Sequence, residues 1–402
     1  METGIGGRPN KRRRLVSLLI TNLKHFSITF LLLFVALVCF GLSIGAEAHF
    51  FEDRLAYRLD GETHVFFENG TLIGKTLRGN NTDGYHVETR AIEQDRNSEI
   101  EIVFPADGSV FTVKPDANIR VPQAIYETDQ PIIALSDVEG GFGAFRNFLV
   151  AHGVADESLN WTFAKGHLVL VGDFVDRGAS TTQVLWGIYK LEQSARQQGG
   201  VVHYIIGNHE IKNLQGNFQA AEDKYFYIAG MLGKQQHQLY DEDSLLGRWL
   251  QSKNVLEIIN GVAFVHGGLH PELAEHEFSV IQINEIVRSG YRQLYFTPTA
   301  VTPESFLRSS TTGPAWYRGY FKDDLTQAQV EAALGAVGAN AVVVGHTLQG
   351  SVNARFNNKV FAIDVPHPKD YLSSFPFRSS EGLLLEEGEY FRLRQNGEKQ
   401  AL

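Results

Sequence analysis

Apolar residues fall into three regimes along the chain. Residues 26–44 carry no charge over 19 positions, close to the length of a membrane-crossing helix. From 49 to 126 the pattern is one of short alternating or apolar segments: His64-Val65-Phe66-Phe67, Thr71-Leu72-Ile73, residues 99–104 and residues 110–113. Asn69-Gly70, Gly79-Asn80 and Asp107-Gly108 mark turns between them, and the stretch 49–128 is predicted to be a small β-rich module. Beyond 130 the apolar runs lengthen and change their endings. Residues 131–135 lead into Ser136-Asp137, 167–171 into Gly172-Asp173, and 201–206 into Gly207-Asn208. Residues 262–265 lead into His266, and 341–344 into Gly345-His346. Helical patterns lie between several of these runs, at 182–198 and 325–337. Strands alternating with helices predict an α/β body over 129–402, and in such sheets ligands gather at the carboxyl ends of strands.

The ends of the chain refine this picture. Lys11-Arg12-Arg13-Arg14 precedes the uncharged run, which places residues 1–48 as a basic leader plus membrane segment with its basic end in the cytoplasm. The following body is expected on the extracytoplasmic side, periplasmic or lumenal. Two versions share that topology: an uncleaved signal-anchor, or a signal peptide cut after the small-x-small triplet Ala46-Glu47-Ala48. At the other end, Glu386-Glu387-Gly388-Glu389 reads as a hairpin turn between late strands at 383–385 and 390–393.

Charge and cysteine content narrow the chemistry. Residues 1–48 hold six basic against two acidic residues, so a net charge of −10 leaves −14 on the remainder. An acidic body of that kind lacks the clustered Lys and Arg that nucleic acid requires. Cys39 is the single cysteine and lies in the apolar run, which excludes a disulfide framework and a thiol nucleophile in the body.

The chemistry gathers at the strand ends. Asp137, Glu139, Asp173, Asn208, His266 and His346 offer carboxylate, amide and imidazole ligands that suit divalent Mn, Fe or Zn. Singly, each has a plainer reading, since an aspartate after a strand is more often a helix cap than a ligand. Jointly they form a candidate metal set. An aspartate can bridge two ions about 3.5–4 Å apart, and such pairs activate water for in-line attack on phosphoryl groups.

These segments resemble the calcineurin-like metallophosphoesterases, in the phosphoprotein phosphatase branch. The resemblance rests on Ser136-Asp137-Val138-Glu139-Gly140, Gly172-Asp173-Phe174-Val175-Asp176-Arg177-Gly178, Gly207-Asn208-His209-Glu210, His266-Gly267-Gly268 and Gly345-His346-Thr347. Val265-His266-Gly267-Gly268, with the run from Gly313 through Trp316 and Arg318 to Tyr320, is similar to the bacterial-type, Shewanella-like members. The resemblance covers residues 131–365 and implies a sandwich of two mixed β-sheets flanked by helices. It implies that Asp137 and Asp173 hold a first metal ion, with Asp173 bridging to a second that Asn208, His266 and His346 complete. It also implies that His209, oriented by Asp176, protonates the leaving group, while Arg177 and Arg318 grip phosphate alongside Asn208.

One departure stands out. Glu139 occupies the place where the family motif has histidine, and an all-oxygen first site favours harder ions, manganese above all. The expected substrate is a phosphoprotein or phosphopeptide, with diadenosine tetraphosphate or a small phosphoester as alternatives. A catalytically degenerate, membrane-tethered binding protein is the rival of another class, motivated by Glu139. The segment 213–250, carrying Tyr225, Phe226, Tyr227, Met231 and Leu232, is a candidate helical cap over the site. Phe142, Phe145 and Leu149 are expected in the core, and His237, His270 and His276 away from the chemistry.

Overall fold

The computed structural model describes residues 11–52, 54–93, 98–294, 302–322 and 324–402. The first helix, α1 (Lys11–Ser43), extends well beyond the uncharged run and takes in the basic residues before it. From Arg13 to Ser43 it is long and apolar enough to cross a membrane, and its leucines and phenylalanines are exposed. The strand β1 (Ala48–Glu52) follows. Residues 1–50 with 374–377 form one unit, and all other residues form a second, which carries the chemistry.

The second unit begins with two small antiparallel sheets. One contains β2 (Thr63–Glu68), β3 (Thr71–Asn80) and β4 (Gly84–Ile92); the other contains β5 (Ile100–Phe104) and β6 (Ser109–Val113). At the β2–β3 turn Asn69 and Gly70 have φ of 49° and 81°, the left-handed pair that a two-residue hairpin requires. The strand β4 was not foreseen, because most of its residues are exposed and its apolar spacing is broken by His86, Glu88 and Arg90.

The body is a sandwich of two mixed six-stranded sheets. The first orders β10 (Val201–Ile205), β9 (His167–Val171), β8 (Ile132–Leu135), β17 (Glu381–Glu386), β18 (Glu389–Arg394) and β19 (Lys399–Ala401). The second orders β14 (Asn353–Arg355), β15 (Val360–Ala362), β13 (Ala341–Val344), β12 (Val262–Val265), β11 (Leu256–Ile259) and β7 (Ile125–Tyr126). Strands β8, β9 and β10 are parallel, as are β12, β13 and β15. Their runs are apolar throughout because both faces are covered. Val169, Val171, Phe264 and Val343 fill the space between sheets, while Leu168, Leu170 and Leu135 face the helical side.

That helical side includes α2 (Phe142–Ala151), where Phe142, Phe145 and Leu149 are buried as expected, and α3 (Thr181–Gln198). On the other sheet lie α7 (Val280–Ser289), α8 (Pro303–Arg308) and α9 (Gln327–Ala336), the last started by a Thr326–Gln329 capping box. The late hairpin closes through Glu387 and Gly388, both at positive φ. The segment 213–250 is helical, with the end of α4 (Asn208–Leu214), then α5 (Lys224–Met231) and α6 (Leu245–Gln251).

The small sheets are tied to the body by buried polar bonds. Glu62, ahead of β2, accepts from Lys224 Nζ of α5 at 2.5 Å and from Gln183 Nε2 of α3 at 3.1 Å. Trp186 Nε1 donates to the Thr63 carbonyl at 2.9 Å. Both members of the Glu62–Lys224 pair are buried, so removing one leaves an uncompensated charge inside. Lys224→Ala is therefore expected to destabilise the folded body by about 3–5 kcal/mol. Urea unfolding followed by tryptophan fluorescence reads this directly; a loss below about 1 kcal/mol would mean that the pair does not hold the sheets to the body.

Candidate metal centre and active site

Five parallel strands of the sandwich each deliver a polar side chain at their carboxyl ends. Asp137 follows β8, Asp173 follows β9, Asn208 opens α4 after β10, His266 follows β12, and His346 lies two residues past β13. The turns that carry them are tight. Asp137, Glu139, Asp173, Asp176, Arg177 and His346 all have φ between 49° and 67°. Non-glycine residues in this left-handed region cost energy and concentrate at functional sites. Gly172 shows why the approach is so close. A Cβ there would stand 2.6 Å from the Gly207 Cα and 2.6 Å from His266 Nδ1.

Glu210 organises two of these turns. Its Oε2 accepts from the backbone N–H of Asp173 at 3.0 Å and of Gly207 at 2.9 Å. Its Oε1 accepts from Phe174 N at 2.7 Å and from the Tyr204 hydroxyl at 2.9 Å. Asp173 Oδ1 in turn accepts from His209 N at 2.9 Å. The loops after β9 and β10 are thus locked together with Asp173 Oδ2 left facing inward.

Around that oxygen the other ligand-type atoms converge. His266 Nδ1 lies 2.7 Å from the Val171 carbonyl, a bond that places the proton on Nδ1. Its Nε2 then faces Asp173 Oδ2 at 3.1 Å and Asn208 Oδ1 at 3.1 Å. Three lone-pair atoms turned toward one another fit a cation between them. Asp173, His266 and His346 offer ligand atoms within 4.8 Å of one another, and all three residues are buried. Asp137 stands beside them, its Oδ2 accepting from His346 N at 3.0 Å.

Charges in this enclosure shift one another. Burial pushes the Asp137 carboxyl well up, and repulsion from Asp364 adds to it. Burial also raises Asp173, but attraction from His266 and a hydrogen bond to it prevail and leave that carboxyl well below the usual range. Burial opposes a charge on His266, yet Asp173 and Asp137 raise it to about 9. His346 is driven well down by burial and then by repulsion from His266, so it is a neutral imidazole near pH 7.

Next to this set lies an acid–base pair. His209 Nδ1 is 2.7 Å from Asp176 Oδ2, and Asn213 Nδ2 donates to Asp176 Oδ1 at 2.8 Å. The Arg177 guanidinium donates to His209 Nε2 at 3.0 Å and also pairs with Glu139. Glu139 therefore turns to an arginine in this structure and not toward Asp137. Its carboxyl is raised by burial, and Arg177 partly offsets that. Arg318 donates to the His346 carbonyl and to Thr347 Oγ1, the latter at 3.2 Å.

A cleft of about 370 Å³ joins Asp137, Glu139, Asp173, Arg177, His209 and Arg318. Four further charged or ionisable lining residues were not foreseen: Asp364, His367, Lys369 and Arg378. Asp364 had the same signal as the others, an apolar run ending in a carboxylate, but β15 is only three residues long. The candidate cap is corrected here. None of residues 213–250 lines the cleft; Tyr225 instead is buried, its hydroxyl donating to Ala179 O at 3.1 Å. His237, His270 and His276 lie outside the cleft, as expected.

A two-sheet α/β sandwich with imidazoles, carboxylates and an amide oxygen gathered at its strand ends defines a metal-dependent phosphoesterase. The chain belongs to the calcineurin-like phosphoesterase family, whose model matches residues 130–350. Among curated relatives, it is 24% identical to Shewanella-like protein phosphatase 2 of Arabidopsis thaliana over 68% of this chain and 80% of that protein. It is 29% identical to a symmetrical bis(5′-nucleosyl)-tetraphosphatase of Aromatoleum aromaticum, over 40% of this chain and 52% of that one. Among solved structures, a cold-active protein-tyrosine phosphatase of a psychrophilic Shewanella species superposes with a TM-score of 0.73. That match has 29% identity and covers 85% of this chain and 98% of the other. The protein is accordingly a hydrolase of the phosphatase type.

Two outcomes test this geometry. In metal-free protein the raised His266 contributes stability that is complete below its free value of 6.5 and is lost as the pH climbs to about 9. The metal-free chain should therefore unfold more easily at pH 9 than at pH 6.5. Metal added near pH 7.5 should release at least one proton, since the raised carboxyls of Asp137 and Asp364 add to that of His266. Calorimetry in buffers of different ionisation heat measures that release, and a proton count of zero would contradict the assignment. Separately, Glu210→Ala strands three buried backbone donors and the Tyr204 hydroxyl, so it should cost roughly 3 kcal/mol or more in urea unfolding.

Proposed function

We propose that this chain is a dinuclear metal-dependent phosphomonoesterase acting on phosphorylated proteins or peptides. The observation that carries it is the meeting of Asp173, His266 and His346 within 4.8 Å beside the His209–Asp176 pair. Asp173, Asn208, His266 and His346 would hold one ion, and Asp137 with Glu139 and Asp173 the other. Bound divalent ions supply the Lewis acidity that makes water a competent nucleophile at neutral pH. Manganese is the favoured ion, because the Asp137–Glu139 side offers oxygen alone.

The chain's own residues account for the rest. Asp176 holds the Nδ1–H of His209, which aims Nε2 into the cleft, where a protonated imidazole can hand its proton to the departing oxygen. Arg177 is half exposed at the mouth and reaches His209, so its fork can take phosphoryl oxygens in exchange for Glu139. Arg318 lines the same cleft. Phosphotyrosyl peptides are the first substrates to try, since the Shewanella neighbour is named a protein-tyrosine phosphatase. The tetraphosphatase relative favours a second reading, hydrolysis of diadenosine tetraphosphate. The helix α1 with its basic start supports a body held outside the membrane, either anchored or released by cleavage.

Hydrolysis of p-nitrophenyl phosphate by chelated protein titrated with Mn, Fe, Zn and Mg tests the reading. Activity should return with metal and be highest with Mn; silence with every ion, despite bound metal, would overturn it. His209→Ala should lower kcat by about 10²–10⁴-fold with metal content unchanged. Full turnover in that variant would remove His209 from its role. Matched rates on a phosphotyrosyl peptide and on diadenosine tetraphosphate decide between the two substrate readings.

A further inference from the structure

The carboxylates on one side of the cleft outnumber the residues that the family motifs assign to a metal. Asp364 follows β15, the strand beside β13, with Ile363 N donating to Val344 O at 2.9 Å and Gln349 N donating to Asp364 O at 2.9 Å. These bonds put it at the same sheet edge as His346. Its residue is only 6% exposed, yet it lines the cleft together with Asp137, Glu139 and Asp173. Among the described residues no donor hydrogen-bonds its carboxylate. The two arginines nearest in charge are engaged elsewhere, Arg318 with His346 O and Thr347, Arg177 with Glu139 and His209. A buried carboxylate without a donor is costly unless a cation meets it or it takes up a proton. Burial with repulsion from Glu139 pushes the Asp364 carboxyl up to about 8, so in the metal-free protein a proton stands where a cation would. Asp364 is also the charge that repels Asp137 most strongly, and Glu139 is the one that most strongly repels Asp364.

The two halves of the cleft differ in chemistry. The His266–His346 half already brings three ligand atoms within 4.8 Å. The Asp137 half has no imidazole from its motif, because Glu139 stands there, and Glu139 is turned to Arg177. With Glu139 so engaged, the motifs leave that half Asp137 and the shared Asp173 as its protein ligands, with water or another residue to complete the coordination.

We propose that Asp364 is a direct ligand of the metal ion on the Asp137 side, supplying the donor that the Glu139 substitution removes from the motif. This rests on the two-metal reading and extends it to a residue outside the matched motifs. It describes an oxygen-only site built by Asp137, Asp173 and Asp364, with Glu139 free to exchange between the ion and Arg177. Among the described residues only the imidazole half brings three ligand atoms within 4.8 Å, so binding on the Asp137 side requires its oxygens to draw together. A site of that composition selects Mn or Mg over Zn.

The test is metal content, not turnover. Full-length protein in detergent is equilibrated with Mn and analysed for bound ions per chain, with calorimetry for affinity and electron paramagnetic resonance for spin coupling between ions. Wild type should hold two coupled ions. Asp364→Asn should hold one, with the coupled signal lost and the remaining affinity within about threefold of the tighter wild-type site. Asp364→Glu, which keeps a carboxylate, should hold two. Two ions of unchanged affinity in Asp364→Asn would overturn the proposal. Equal loss in both variants would also overturn it, by assigning Asp364 to packing. A wild-type protein that binds one ion or none would instead remove the two-metal reading beneath it.

Discussion

The Glu210 carboxylate is the interaction on which the site depends. It is fully buried, which disfavours its charge, and repulsion from Asp173 adds to the penalty. Three backbone N–H groups and the Tyr204 hydroxyl offset this by donating to it. The gain is positional. Two loops from neighbouring strands, the one after β9 turning through left-handed backbone at Gly172 and Asp173, are bound to one pair of oxygens and cannot drift apart. Asp173 is then held with one oxygen on the His209 amide and the other turned to His266. Catalytic ligands tolerate displacements of only about 0.5 Å, and a rigid shell of this kind supplies that precision.

Around that fixed point the charges are arranged in opposition. Carboxylates and imidazoles line the cleft together with Arg177, Arg318, Lys369 and Arg378. An acidic body with four basic side chains gathered at one cleft draws a phosphate group to one place and repels other anionic surface. The Glu139–Arg177 pair joins a carboxylate of the metal motif to an arginine of the cleft, so a change at one is felt at the other. That coupling follows from a glutamate at a position where the family motif has histidine.

Much of this was legible in the residues because buried parallel strands read as unbroken apolar runs, and the polar residue ending each run marks the sheet edge. Asp137, Asp173, Asn208, His266 and His346 all lie where those endings put them. Side-chain direction was not legible. Nothing in the spacing showed Glu139 turning to Arg177, or Glu210 serving two loops. Asp364 was missed although Val360-Phe361-Ala362-Ile363 leads into it as the other runs lead into their ligands, because the run is short and its strand only three residues long. The segment 213–250 showed its helices but not their placement, since Phe226 and Tyr227 are exposed apolar residues that a sequence cannot distinguish from the lining of a cleft. The β4 strand was hidden for a similar reason, being mostly exposed on both faces.

The central claim is that one buried carboxylate, Asp173, is shared by two metal ions at the meeting of the two sheets. Anomalous diffraction at the manganese edge, from crystals grown with Mn, tests it most directly. Two peaks about 3.5–4 Å apart, both within ligand distance of Asp173, are the expected result. A single peak, or two peaks of which one does not touch Asp173, would contradict the account.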